Sequence, residues 1–158
     1  MNIRPVKLPD DARGSLWLSA MPGRFGSMHE FERHAKATGL ALVVCLTPRD
    51  EVEELSPDYA RSILRGDAAY EWMDLPVPNF GVPPDPNSFR EAIERIAGRI
   101  RGGDAVLMHC AAGMGRTGSA AACVLKALGL STGEALDCVR AAGSNPQNAD
   151  QSGFVNWF

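Results

Sequence analysis

The sequence has few of the residues from which metal centres are built. Its 158 residues include only three histidines and four cysteines, and their spacing fits no zinc site. We therefore expect no metal, and no motif implies an organic cofactor. No apolar run is long enough to span a bilayer, and the polar, proline-broken N-terminus lacks the apolar segment of a secretory signal.

An excess of charge of one sign is lacking as well. The net charge is only −3, which gives no global reason for binding nucleic acid or an anionic membrane. Cys45, Cys123 and Cys138 lie in apolar runs, as is typical of buried thiols in a reducing compartment. We expect a cytoplasmic protein with no nucleic-acid or membrane partner, in which any anion site is local.

The length suits one compact domain over residues 1–158, with a loosely held leader at residues 1–13. Apolar runs predict strands at residues 14–23, 40–47, 70–77 and 105–109. Apolar periodicity and capping residues predict helices at residues 27–38, 57–64, 85–101, 115–128 and 131–142, and one from about residue 149. This alternation predicts an α/β fold with a mostly parallel central sheet and helices on both faces.

The segment richest in chemistry is residues 109–118, which read HCAAGMGRTG and join a central strand to the next helix. Ligands of such sheets bind at the carboxyl ends of the strands. A glycine-rich turn into a helix can aim successive backbone N–H groups at one anion, and the helix N-terminus adds positive potential. The N–H groups predicted to bind phosphate belong to Ala111, Ala112, Gly113, Met114 and Gly115.

Cys110 and Arg116 have complementary roles in such a loop. The dipoles that bind phosphate also favour a thiolate at Cys110, which is then placed for in-line attack on phosphorus. The planar guanidinium of Arg116 suits two phosphate oxygens. Thr117 can donate a hydrogen bond to the sulfur and help it leave in the second step. The alternative is a structural cysteine beside a surface arginine. That alternative would not explain why a strand, glycines, Arg-Thr-Gly and a helix follow one another in this order.

The loop resembles the HCxxGxxR(S/T)G signature of the cysteine-based protein phosphatases. VPNFGVP at residues 77–83 is similar to the family's WPDxGxP loop, and QNADQ at residues 147–151 to its QTxxQ loop. The resemblance covers roughly residues 14–158, and the length suits the compact dual-specificity branch. It implies a protein phosphatase acting through a phosphocysteine on Cys110, with phosphotyrosine preferred and phosphoserine or phosphothreonine as possible further substrates.

The same resemblance implies roles for three more residues. Gln147 and Gln151 match glutamines that hold the attacking water and a phosphate oxygen; the alternative is a polar loop at a helix start. In the family's sheet order, the strand of Cys45 neighbours that of Cys110. A protective disulfide between them is one expectation, and a plain core cysteine is the other.

The sequence departs from the family at the general acid. The family's mobile loop supplies an aspartate that protonates the leaving oxygen, but this sequence has Asn79 there, and an amide has no such proton. Asp74 and Asp85 are nearby alternatives, although Asp85 is expected to cap a helix.

Three functions therefore stay open. The first is an active phosphatase. The second is a phosphate-binding or weakly active module, including an acid-deficient variant that traps its substrate. The third, a phosphatase of inositol phosphates, is disfavoured because the loop carries no lysine. The expected partners are phosphorylated proteins or peptides, small aryl phosphates, and phosphate or another oxyanion in the Cys110 loop.

Overall fold

The computed structural model describes residues 2–158 and is built on a five-stranded sheet. Its strands are β1 (Arg4–Pro5), β2 (Ser15–Ser19), β3 (Leu40–Cys45), β4 (Glu71–Asp74) and β5 (Ala105–His109). Their order in the sheet is β1-β2-β5-β3-β4. β1 runs antiparallel to β2, and all other neighbours are parallel. The predicted α/β fold with a mostly parallel sheet is confirmed.

Seven helices connect or flank these strands in the described part of the chain. They are α1 (Met28–Thr38), α2 (Arg49–Leu55), α3 (Pro57–Arg65), α4 (Pro86–Arg101), α5 (Gly115–Ala127), α6 (Thr132–Ala141) and α7 (Ala149–Trp157). The Ser27 hydroxyl accepts from the Glu30 N–H to begin α1, and Ser131 with Glu134 forms a capping box for α6. The sequence did not predict α2, which has no side-chain cap.

The two central strands are covered on both faces. Val44 and Met108 pack with residues of α4, α5 and α6, whereas Val43 and Leu107 point the other way and pack against Phe31 of α1. This alternation follows from the two-residue period of a strand. It brings the carboxyl ends of β3 and β5 side by side, in a register that pairs Cys45 with His109.

Part of the N-terminal segment, which the sequence predicts to be a loosely held leader, is attached to the sheet. Arg4 and Pro5 pair with Leu18 and Trp17 of β2, and Val6 is buried in the main core. A two-residue strand is too short to show a pattern in the sequence.

No helix among residues 2–158 is long and apolar enough to cross a membrane.

Candidate active site

The predicted phosphate loop, residues 109–118, joins β5 to α5 as expected. Cys110 is 3% exposed, and the Gly113 N–H donates to its Sγ at 3.3 Å. Gly113 has a φ of +74°, and a Cβ there would lie 2.6 Å from the backbone of Ser19. Only glycine fits this position. The loop therefore curls tightly around the sulfur, and the Gly113 N–H points at it.

Arg116 lies in the first turn of α5 and is almost fully buried. Its Nη1 and Nη2 donate to the two carboxylate oxygens of Glu51 at 3.0 and 2.8 Å, and Nη1 also donates to the Val77 carbonyl at 3.1 Å. Burial lowers the pKa of Arg116, but the hydrogen bonds to Glu51 and the charge of Cys110 outweigh this, so its pKa is raised. The guanidinium is thus held beside the sulfur as a fixed cation.

A buried chain of hydrogen bonds lies behind Cys110. Trp72 Nε1, which can only donate, binds the Tyr59 hydroxyl at 3.0 Å, and this hydroxyl lies 2.7 Å from His109 Nε2. The Cys110 carbonyl, 3.2 Å from Nδ1, can only accept, so the proton of neutral His109 is assigned to Nδ1 and Nε2 accepts from the Tyr59 hydroxyl. Burial lowers the pKa of His109 to about 4. His109 is a neutral residue that orients the loop.

The two glutamines predicted from the sequence reach the loop from α7 and from the residues just before it. Gln151 is buried, and its Oε1 accepts from the Gln147 N–H at 2.9 Å. A Cβ on Gly115 would lie 2.7 Å from Gln147 Oε1 and 2.9 Å from Gln151 Oε1. Both amides therefore border the phosphate loop.

Thr117 is also buried, but it does not make the expected contact. Its hydroxyl has no hydrogen-bond partner within residues 2–158, so the bond to the Cys110 sulfur is not formed in this structure. An unpaired hydroxyl in a buried site is costly. The role of Thr117 in helping the sulfur leave stays a prediction.

The segment at the general-acid position is fastened to the glutamine loop. Phe80 has a φ of +57°, and its carbonyl accepts from Asn148 Nδ2 at 2.8 Å. Gln151 Nε2 donates to the Gly81 carbonyl at 3.3 Å. These bonds hold Asn79 and the exposed ring of Phe80 at the rim of the cleft above Cys110.

The cleft has a volume of about 530 Å³. Its lining includes Cys110, Arg116, both glutamines and Asn79, but neither of the two alternative acids. Asp85 is exposed and caps α4, accepting from the Ser88 N–H and hydroxyl. Asp74 lies at the end of β4, where it pairs in register with Cys45. Burial raises the pKa of Asp74, although the positive charge of Arg49 acts to lower it.

Sequence reasoning missed three charged residues of the cleft. Glu51 and Glu54 come from α2, and Arg24 donates from Nη1 to the Ala111 carbonyl at 2.9 Å. A signal for the glutamates was present, because α2 directly follows β3, whose carboxyl end lies beside that of β5. No group of three or more potential metal-ligating side chains was found among residues 2–158.

Cys45 lies in the strand next to Cys110, and both thiols are free. Burial raises the pKa of Cys45 to about 12. A thiol with so high a pKa is a slow partner in disulfide exchange. The disulfide with Cys110 stays a prediction.

Comparison with known proteins places the chain in a family. A family model described as PTP-SAK, Swiss Army Knife protein, DSP-PTPase phosphatase domain, matches residues 19–152. The chain belongs to this family of phosphatase domains. No curated protein matched the chain in a further comparison.

Solved structures share the whole fold. Kinase-associated phosphatase, with serine in place of its catalytic cysteine, is 21% identical with a TM-score of 0.84, covering 98% of this chain and 92% of that one. Tk-PTP in its active form is 27% identical with a TM-score of 0.70, covering 94% and 95%. PTPMT1 in complex with PI(5)P is 18% identical with a TM-score of 0.72, covering 96% and 92%. These are phosphatases of the dual-specificity and tyrosine type.

Proposed function

We propose that this protein hydrolyses phosphomonoesters through a phosphocysteine on Cys110, with phosphotyrosine as the preferred protein substrate. The observation that carries the proposal is the loop itself. It holds the buried sulfur of Cys110 within reach of the Gly113 N–H and beside the fixed guanidinium of Arg116. A dianionic phosphate in this loop would meet backbone donors, a helix N-terminus and a two-pronged cation.

The reaction would proceed in two displacements. First the Cys110 thiolate attacks phosphorus, the bond from phosphorus to the ester oxygen breaks, and the leaving oxygen takes up a proton from solvent. Then water attacks the phosphocysteine and gives up a proton to solvent, the phosphorus–sulfur bond breaks, and the thiolate returns with release of phosphate. Arg116 would bind the charge that spreads over the phosphoryl oxygens. By the family resemblance, Gln147 and Gln151 would position the water.

The proton for the leaving oxygen limits the choice of substrate. Asn79 cannot supply it, and general acid catalysis is typically worth about 10² to 10⁴ in rate. A tyrosine oxygen leaves with a pKa of about 10, whereas serine and threonine alkoxides are far poorer leaving groups. The protein should therefore cleave activated aryl phosphates measurably, phosphotyrosine poorly and phosphoserine hardly at all.

A lipid or inositol phosphate is the second candidate substrate, because PTPMT1, which shares the fold, binds PI(5)P. Extra phosphates would need extra cations. Among the residues that line the cleft, Arg24 is the one cation besides Arg116, and the phosphate loop itself has no lysine. This charge suits a singly phosphorylated substrate better.

A turnover assay on one activated aryl phosphate, phosphotyrosine, phosphoserine and inositol phosphates tests the proposal. The parent should follow the leaving-group order above, and Cys110→Ser should abolish turnover. Cys138→Ser, which changes a half-buried thiol outside the cleft, is the matched control. Faster turnover of inositol phosphates than of the aryl ester would favour the second candidate. No turnover of any ester would favour a phosphate-binding module.

A further inference from the structure

The Gly113 carbonyl, on the outer side of the phosphate loop, is held by two donors. Arg4 Nη2 donates to it at 2.8 Å, and the Ser144 hydroxyl donates to it at 2.6 Å. The other prong of Arg4, Nη1, donates to the Ala142 carbonyl at 2.8 Å, beyond the end of α6. Strand β1 thus sends one side chain across to the loop, 109 residues away in sequence.

The direction of the Gly113 carbonyl determines whether the next backbone N–H can donate to an anion in the loop. The peptide bond from Gly113 to Met114 is trans, as are all those described. In a trans peptide the carbonyl and the following N–H point in opposite directions. Holding the Gly113 carbonyl outward therefore turns the Met114 N–H inward, where the nest needs a donor.

The turn after α6 leaves space for the Arg4 side chain because it contains a glycine. Gly143 has a φ of +86°, and a Cβ there would lie 2.7 Å from Arg4 Nη1. Burial lowers the pKa of Arg4, and the charge of Cys110 opposes that effect. The guanidinium is thus a partly buried cation whose charge acts on the sulfur from behind the loop.

We infer that Arg4 is a positioning residue of the phosphate loop, which holds the Gly113 carbonyl outward by hydrogen bonding and supports the Cys110 thiolate by its charge. The inference rests on the proposed function, because it assigns this loop to oxyanion binding. The competing explanation is that Arg4 only ties β1 to the rest of the fold. That explanation predicts an effect on unfolding and none on the chemistry of Cys110.

Arg4→Met and Arg4→Lys separate the two explanations, with Arg13→Met as the control because Arg13 is an exposed arginine of the same segment. The measurements are the pH dependence of Cys110 alkylation by iodoacetamide, the affinity for vanadate, and kcat and KM for an aryl phosphate. All are made well below the unfolding temperature of each variant. Identification of the alkylated peptide shows that Cys110 is the thiol that reacts.

Arg4→Met should move the alkylation midpoint to higher pH, because it removes a cation near the sulfur. It should also weaken vanadate binding about tenfold or more, because the Gly113 carbonyl loses a charged donor that holds it outward. Arg4→Lys keeps the charge but not the fork, so it should keep the midpoint and lose vanadate affinity. If Arg4→Met unfolds more easily but matches Arg13→Met in alkylation and vanadate binding, the inference is wrong. If the parent turns over no ester while these Arg4 effects are present, the proposed function fails and the inference stands.

Discussion

Glu51 and Arg116 are joined by two hydrogen bonds, at 3.0 and 2.8 Å, although 65 residues separate them in the sequence. The arginine side chain is 3% exposed and that of the glutamate 20%. The pair fixes the plane of the guanidinium before any phosphate arrives. Preorganisation of this kind lowers the cost of reaching the transition state. Helix α2 therefore lines the cleft beside Cys110.

Glu51→Gln should lower kcat/KM by about tenfold, because the amide keeps one acceptor and loses the charge-assisted second bond. The control is Glu53→Gln, an exposed residue of the same helix that does not line the cleft. Steady-state kinetics on an aryl phosphate measure both variants. Equal activity of the two would show that Glu51 does not position Arg116.

Arg116→Lys should lose most of kcat, by about 10²-fold or more, since an ammonium cannot make the two-pronged contact with the charge that develops in the transition state. Vanadate affinity, measured alongside, should also fall. Activity within a few-fold of the parent would contradict the clamp role of Arg116. Arg13→Lys, at an exposed site, serves as the control.

Asn79→Asp should raise turnover of phosphotyrosine by about tenfold or more, because it restores a proton donor at the rim of the cleft. It should change an activated aryl ester much less, and the gain should fade as pH rises and the new carboxyl ionises. Asn87→Asp makes the same chemical change at an exposed position outside the cleft.

Unchanged phosphotyrosine turnover in Asn79→Asp would mean that the proton comes from elsewhere. Asp74 and Asp85 do not line the cleft, whereas Glu51 and Glu54 do. Glu51 is held by Arg116, so Glu54→Gln beside the exposed Glu53→Gln would then be the informative comparison.

His109 should make the protein less stable as pH falls from about 6.5 to about 4. Burial lowers the pKa of His109 from 6.5 to about 4. Between pH 6.5 and about pH 4, the histidine is therefore protonated in the unfolded chain and neutral in the folded protein. Stability is then lost by up to about 1.4 kcal/mol per pH unit, and fully present above pH 6.5. Urea unfolding at several pH values measures this slope. His109→Gln should flatten it and the exposed His29→Gln should not; an unchanged slope in His109→Gln would contradict the assignment.

Local signals in the sequence predicted much of this architecture. The strand at residues 105–109 has the predicted bounds, because it is buried on both faces and reads as an unbroken apolar run. Asp85 and Ser131 cap helices as expected, since capping depends on only a few neighbouring residues. The predicted strand at residues 70–77 ends early, at Asp74. Its apolar continuation instead forms the approach to the Asn79 loop.

The contacts of Glu51 and Arg4 with the phosphate loop could not be predicted from local sequence signals. Glu51 lies on a seven-residue helix with no side-chain cap, and its partner Arg116 is on another element. Arg4 lies in a two-residue strand and acts on Gly113, which is also remote in sequence. Both roles arise only when the sheet order brings these segments together. Motifs therefore located the loop and the candidate reacting groups, whereas contacts between remote segments are visible only in the tertiary structure.

The central claim is that Cys110 carries the phosphoryl group. It is tested most directly by quenching the protein with acid during turnover of an activated aryl phosphate and measuring the mass of the intact chain and its peptides. The account predicts a mass increase of one phosphoryl group on the peptide containing Cys110, absent in Cys110→Ser and present in Cys138→Ser. Turnover without that adduct, or turnover retained by Cys110→Ser, would contradict it.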